Sequence, residues 1–281
     1  MSTTSSSLVT TKWVAEHLND LNLVLLDASW YMPGSERNPE QEWINCRIPG
    51  ARFFDFDTKV KDPDAELPHM LPSPELFAQE VSKLGITNQN MIVVYDSHGL
   101  FSAPRVWWMF KAMGHKSVAV LDGGLPAWLE EQRPTETGEV IKPVTFHYEA
   151  KLLPEWVINA DNLKLVLDDP DTVVLDARSA ARFYGTQPEP RAGVRSGHMP
   201  NAKSLPFSQL IKDGHFLGLK QLESRFEAVS DSEQRLIFSC GSGVTACILA
   251  LGAELTGRKL LTVYDGSWTE WGAALKYPVV R

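Results

Sequence analysis

The feature that most limits how this chain can fold is that it repeats itself. Val24-Leu25-Leu26-Asp27-Ala28 returns as Val173-Val174-Leu175-Asp176-Ala177, each a short apolar run closed by an aspartate. Such runs read as strands buried on both faces of a parallel sheet. A capping residue, Thr10 or Asn159, precedes each aspartate by the same interval. Between cap and strand, Val14/Leu18 and Leu163/Leu167 carry helical spacing. The match continues in order: Ile48-Pro49-Gly50-Ala51 with Met199-Pro200-Asn201-Ala202, then Met91-Ile92-Val93-Val94-Tyr95 with Arg235-Leu236-Ile237-Phe238-Ser239. Val120-Leu121-Asp122-Gly123-Gly124 then answers Val263-Tyr264-Asp265-Gly266-Ser267, with Trp128 and Trp271 at equal distances beyond.

Strand and helix alternate through both copies, which predicts an α/β chain of two tandem domains. Each would be a parallel sheet with helices on both faces. The expected boundaries are 8–140 for the first domain and 158–281 for the second. The linker is expected over 141–157, in a stretch rich in Pro, Thr and charge that neither copy repeats.

The copies differ where chemistry is expected. The strand ending in Ser239 runs into Cys240-Gly241-Ser242-Gly243-Val244-Thr245, and the aligned position in the first copy is Asp96. A thiol at the carboxyl edge of a parallel sheet stands where ligands of open α/β sheets bind. The two glycines allow successive N–H groups to turn inward, and an apolar helix expected from about Val244 to Leu255 brings its N-terminus to the same point. Both effects stabilise a negatively charged sulfur.

Other cysteine chemistries fail on spacing. A phosphatase-like loop needs an arginine where Ala246 stands, and a dithiol oxidoreductase needs Cys-x-x-Cys, whereas Cys247 lies farther on inside the expected helix. Cys247 reads as core packing and Cys46 as incidental. Three cysteines form no disulfide framework, which favours a reducing compartment. With no recognisable secretory signal or membrane-length apolar run, the expectation is a soluble cytoplasmic protein. A net charge of -8 argues against nucleic acid and anionic membrane as partners and makes clustered arginines informative. Arg178, Arg182, Arg191 and Arg195 form such a cluster. Arginine's planar fork suits a carboxylate ligand, although a solvated loop with local pairing, for example with Glu189, also accounts for the cluster.

On its paired Pro-Gly-Ala and His-Met-Pro segments, its Asp-Gly…Trp closures and its six-residue cysteine loop, the chain resembles the tandem-domain rhodanese superfamily over nearly its whole length. The resemblance implies two rhodanese-like domains, the first silent and the second forming a persulfide on Cys240. It implies transfer of sulfur from 3-mercaptopyruvate to a thiol, a thioredoxin-like protein or cyanide, with release of pyruvate and without cofactor or metal. The uncharged residues Gly241, Ser242, Gly243, Val244 and Thr245 are similar to those of the mercaptopyruvate-specific members. The segment Ala181 to Arg191 resembles the family's substrate-binding stretch, which makes Arg182 and Arg191 the donor-gripping arginines. Asp57, His69 and Ser242 match positions proposed in some members to handle protons. A thiosulfate sulfurtransferase of the same fold and a non-catalytic persulfide carrier are the alternatives.

Overall fold

The computed structural model describes residues 6–139 and 143–281. Residues 140–142, where the expected linker begins, lie outside the described residues. The chain divides into two compact units: Met1–Pro63, Leu71–Leu152 and Asp213–His215 form one, and Asp64–Met70, Leu153–Lys212 and Phe216–Arg281 the other.

In the first unit five parallel strands, β1 (Leu8–Val9), β2 (Leu23–Asp27), β3 (Arg52–Phe53), β4 (Met91–Tyr95) and β5 (Val118–Leu121), lie in the order β1-β5-β4-β2-β3. Helices α1 (Thr11–His17), α2 (Pro39–Asn45), α3 (Pro74–Lys83), α4 (Ala103–Ala112) and α5 (Gly124–Glu130) connect them. The start signal read in the sequence is made as expected: the Thr10 hydroxyl accepts the Trp13 N–H at 3.2 Å. Strand β4 is buried at all five positions, as a central strand covered on both faces must be.

The second unit builds the same sheet. Strands β6 (Val157–Ile158), β7 (Thr172–Asp176), β8 (Lys203–Ser204), β11 (Arg235–Ser239) and β12 (Leu261–Tyr264) run parallel in the order β6-β12-β11-β7-β8. The short strands β9 (Ile211–Lys212) and β10 (His215–Phe216) form a separate ribbon. Helices α6 (Ala160–Val166), α7 (Ala180–Phe183), α8 (Leu219–Glu227), α9 (Ala246–Leu255) and α10 (Ser267–Trp271) complete it. Asn159 caps α6 through its bond to Asn162 N–H at 2.9 Å.

Even the register repeats. Asp27 pairs with Tyr95 at the ends of β2 and β4, and Asp176 pairs with Ser239 at the ends of β7 and β11. Cys240 therefore leaves the carboxyl end of a central strand, the edge where this architecture places its ligands. Helix α9 starts at Ala246 rather than near Val244. Its first turn is tighter than an α-helix, with Cys247 N–H on Val244 O and Ile248 N–H on Thr245 O, so Val244 and Thr245 stay in the loop. Among the described residues no helix is long and apolar enough to cross a membrane.

Candidate active site

The cysteine loop is pinned by the turn that leads from β12 into α10. The Cys240 N–H donates to Ser267 Oγ at 3.1 Å, while that hydroxyl donates to Tyr264 O at 2.9 Å. Trp268 N–H returns to Cys240 O at 3.0 Å. Ser267 takes a left-handed φ of 49°, and its counterpart in the first unit, Gly124, takes 54°. A serine thus occupies a conformation that costs it of order 1–3 kcal/mol, and in return its hydroxyl meets the cysteine's amide. Cys240 is buried. Cys247 is buried as well, its thiol donating to Gly243 O at 3.3 Å, so the expected packing residue also braces the loop.

The first unit shows what this kind of loop gathers. The Asp96 carboxylate accepts four backbone N–H groups: His98 at 2.9 Å on Oδ1, and Phe101, Ser102 and Ala103 at 2.8, 2.9 and 2.8 Å on Oδ2. A carboxyl group fills the position that the second unit gives to a thiol.

The four clustered arginines divide into two kinds. Arg178 is buried, donates Nε and Nη2 to Asp176 (2.7 Å at the shortest) and Nη1 to Glu189 at 2.8 Å, and lies over the Trp268 ring. Burial alone would lower its pKa, but the charges of Asp176 and Glu189 outweigh burial and raise it. Arg195 gives Nε and Nη2 to the carbonyls of Gly272, Trp271, Ala274 and Tyr277, holding the end of the chain in place. Neither faces the cysteine loop.

Arg182 and Arg191 do. The Arg182 guanidinium lies over Gly241, where a Cβ would come within 3.2 Å of Nη2. Glu189 holds it there, accepting Nε at 3.2 Å and Nη2 at 2.5 Å. The Glu189 side chain is 4% exposed and serves both Arg178 and Arg182, so the local pairing considered from sequence is present and orients Arg182. Arg191 donates Nη1 to Thr269 Oγ1 at 2.9 Å, and that hydroxyl donates to Gly241 O at 2.6 Å. Both arginines therefore converge on the residue that follows Cys240.

Two further candidates, Asp57 and His69, fall in different units. Asp57 belongs to the first unit, in a turn where its N–H meets Asp55 Oδ1 at 3.1 Å. His69 is buried in the second unit with a left-handed φ of 61°. Sequence reasoning missed Ser267 and Thr269 and took Glu189 only as a competitor for the arginines. A signal existed: the aligned residues of the first copy are Gly124 and Pro126, so both positions changed together with Asp96/Cys240. A cavity of about 930 Å³ in the first unit, between Trp13, His17 and His115 at the amino ends of β2 and β4, holds none of these groups.

The "Rhodanese-like domain" family matches residues 10–131 and 159–274. The chain is 43% identical over 300 residues to thiosulfate/3-mercaptopyruvate sulfurtransferase 1, mitochondrial, of Arabidopsis thaliana, covering 98% of this chain and 78% of that one. It is 41% identical over 273 residues to 3-mercaptopyruvate sulfurtransferase of Homo sapiens, covering 94% and 91%. Among solved structures, the 3-mercaptopyruvate sulfotransferase SseA of Escherichia coli superposes with a TM-score of 0.85 at 36% identity, over 94% of this chain and 99% of that one.

Proposed function

The chain belongs to the rhodanese-like domain family, and on that premise we propose that it is a 3-mercaptopyruvate sulfurtransferase working through a persulfide on Cys240. The observation that carries this reading is the convergence of Arg182 and Arg191 on Gly241, beside a thiol at the carboxyl end of β11. Two cationic forks next to a nucleophile suit a small carboxylate that bears the reacting sulfur.

In the first step the Cys240 thiolate attacks the sulfur of 3-mercaptopyruvate. The S–S bond forms as the bond from carbon to sulfur breaks, and the electron pair leaves on pyruvate as its enolate, which then takes a proton. The arginines stabilise the charge that develops on the leaving group, and the loop amides stabilise the sulfur anion. The four-amide cradle around Asp96 supports the second role, because a loop at the same place in the repeat already turns its N–H groups onto carboxyl oxygens. In the second step a thiolate, from a small thiol or a thioredoxin-like protein, or cyanide attacks the outer sulfur and frees Cys240.

The uncharged residues Gly241, Ser242, Gly243, Val244 and Thr245 favour a monocarboxylate gripped by arginines over thiosulfate, which carries two charges. On this reading residues 158–281 form the catalytic domain and 8–140 the silent one. Three free cysteines support a reducing compartment such as the cytoplasm.

Replacing Cys240 with Ser tests the mechanism. The wild type, incubated with 3-mercaptopyruvate alone, should gain the mass of one sulfur atom on the peptide holding Cys240, and Cys240→Ser should show neither that gain nor turnover. Turnover by the serine variant would overturn the mechanism. A higher catalytic efficiency with thiosulfate than with 3-mercaptopyruvate would overturn the donor.

A further inference from the structure

We infer that Thr269 is a positioning residue for donor binding, one that fixes Arg191 to the cysteine loop. The inference rests on the sulfurtransferase reading above and assigns a role to a residue outside the arginine pair and the loop.

A threonine hydroxyl has one proton to donate and two lone pairs. Here the proton goes to Gly241 O at 2.6 Å, which leaves the lone pairs facing Arg191 Nη1 at 2.9 Å. The Thr269 N–H also meets Gly241 O, at 2.9 Å, so the residue is anchored to the loop twice before it touches the arginine. Arg191 makes no other side-chain hydrogen bond among the described residues, so Thr269 sets where its guanidinium stands. The rest of the fork keeps its N–H groups for a ligand. Arg182, by contrast, is held from the far side by the buried Glu189. The two forks are braced independently, one by a carboxylate and one by a hydroxyl.

The first unit supplies the internal comparison. Its aligned residue is Pro126, which has neither N–H nor hydroxyl, so neither link can exist in the copy that carries Asp96 instead of a thiol. An arginine without its brace loses rotamer freedom when it grips the donor, and that entropic cost weakens binding rather than the sulfur-transfer step.

The test is steady-state kinetics with 3-mercaptopyruvate as donor and cyanide as acceptor, on wild type, Thr269→Val, Thr269→Ser, Arg191→Gly and the double variant Thr269→Val/Arg191→Gly. Thr269→Val should raise KM about fivefold, the worth of one hydrogen bond, with kcat changed less than about twofold. Thr269→Ser should restore KM. In the Arg191→Gly background the valine substitution should have no further effect, because the group it positions is gone. Circular dichroism establishes that the variants fold, and Thr269→Ala carries the same expectation if the valine variant does not. An unchanged KM in Thr269→Val beside a raised one in Arg191→Gly would overturn the role of Thr269 alone. The same holds for a valine effect of equal size in both backgrounds. Absence of turnover in the wild type would instead overturn the sulfurtransferase reading.

Discussion

Asp27 and Asp176 occupy one position in two copies of the same sheet, and their replacement by asparagine should have opposite effects. Each carboxylate is 1% exposed at the end of its strand. Asp176 is neutralised by Arg178, but the aligned residue in the first unit is Ser29, which offers Asp27 an N–H at 2.9 Å and no charge. Burial pushes the Asp27 carboxyl up from 3.8 to about 6, against the bonds from Ser29 and Tyr95 and with a smaller contribution from the charge of Asp96. A difference of about two pH units between native and unfolded chain amounts to about 3 kcal/mol. The native state keeps the proton that the unfolded state has lost. The associated stability is therefore fully present below about pH 4 and disappears as the pH rises through about 6.

Asparagine imitates the protonated acid without titrating. Asp27→Asn should be more stable than wild type at about pH 8 by up to roughly 3 kcal/mol, and the advantage should shrink to near zero by about pH 4. Asp176→Asn should lose about 3 kcal/mol near neutral pH, because Arg178 then stays buried with only Glu189, which it shares with Arg182, as counter-charge. Urea unfolding followed by tryptophan fluorescence across that pH range measures both. A stability difference between Asp27→Asn and wild type that is flat with pH would refute the reasoning, since it would mean that the native carboxyl titrates as it does in the unfolded chain.

Three further outcomes are expected. Arg182→Gly and Arg191→Gly should each raise KM for 3-mercaptopyruvate at least tenfold, as loss of a charged hydrogen bond to a carboxylate implies, and kinetics with a range of donor concentrations checks this. Asp96→Ala leaves four N–H groups, two of them in buried bonds, without their acceptor and should cost about 3 kcal/mol in urea unfolding. Its rate of persulfide formation at Cys240, followed by mass spectrometry, should match wild type, because the proposed mechanism uses no group of the copy that carries Asp96.

The strands, the helix caps at Thr10 and Asn159, and the emergence of Cys240 at a sheet edge were legible in the sequence because they depend on local patterning. A period of two or of 3.6, and a side chain that accepts an N–H three residues on, are decided within a few residues of chain. The repeat added long-range information, since one copy predicts the other's strand order, and both sheets do share it. The start of α9 was less legible, because Gly243 at a φ of 79° and the tight turn after Val244 depend on what the loop closes around.

The arginines mark the limit. As sequence, Arg178, Arg182, Arg191 and Arg195 are four similar cations in one irregular segment. Only the tertiary structure sorts them, by burying Asp176 and Glu189 beside Arg178, offering four carbonyls to Arg195, and bringing Gly241 and Thr269 to the other two. Thr269 lies far from Arg191 along the chain, and their bond exists because α10 returns to the end of β11. The sequence determined the fold, the repeat and the thiol, each written in local periodicity or in a difference between copies. The tertiary structure decided which charges are spent on each other and which remain for a ligand, because that depends on burial and on partners that chain order does not reveal.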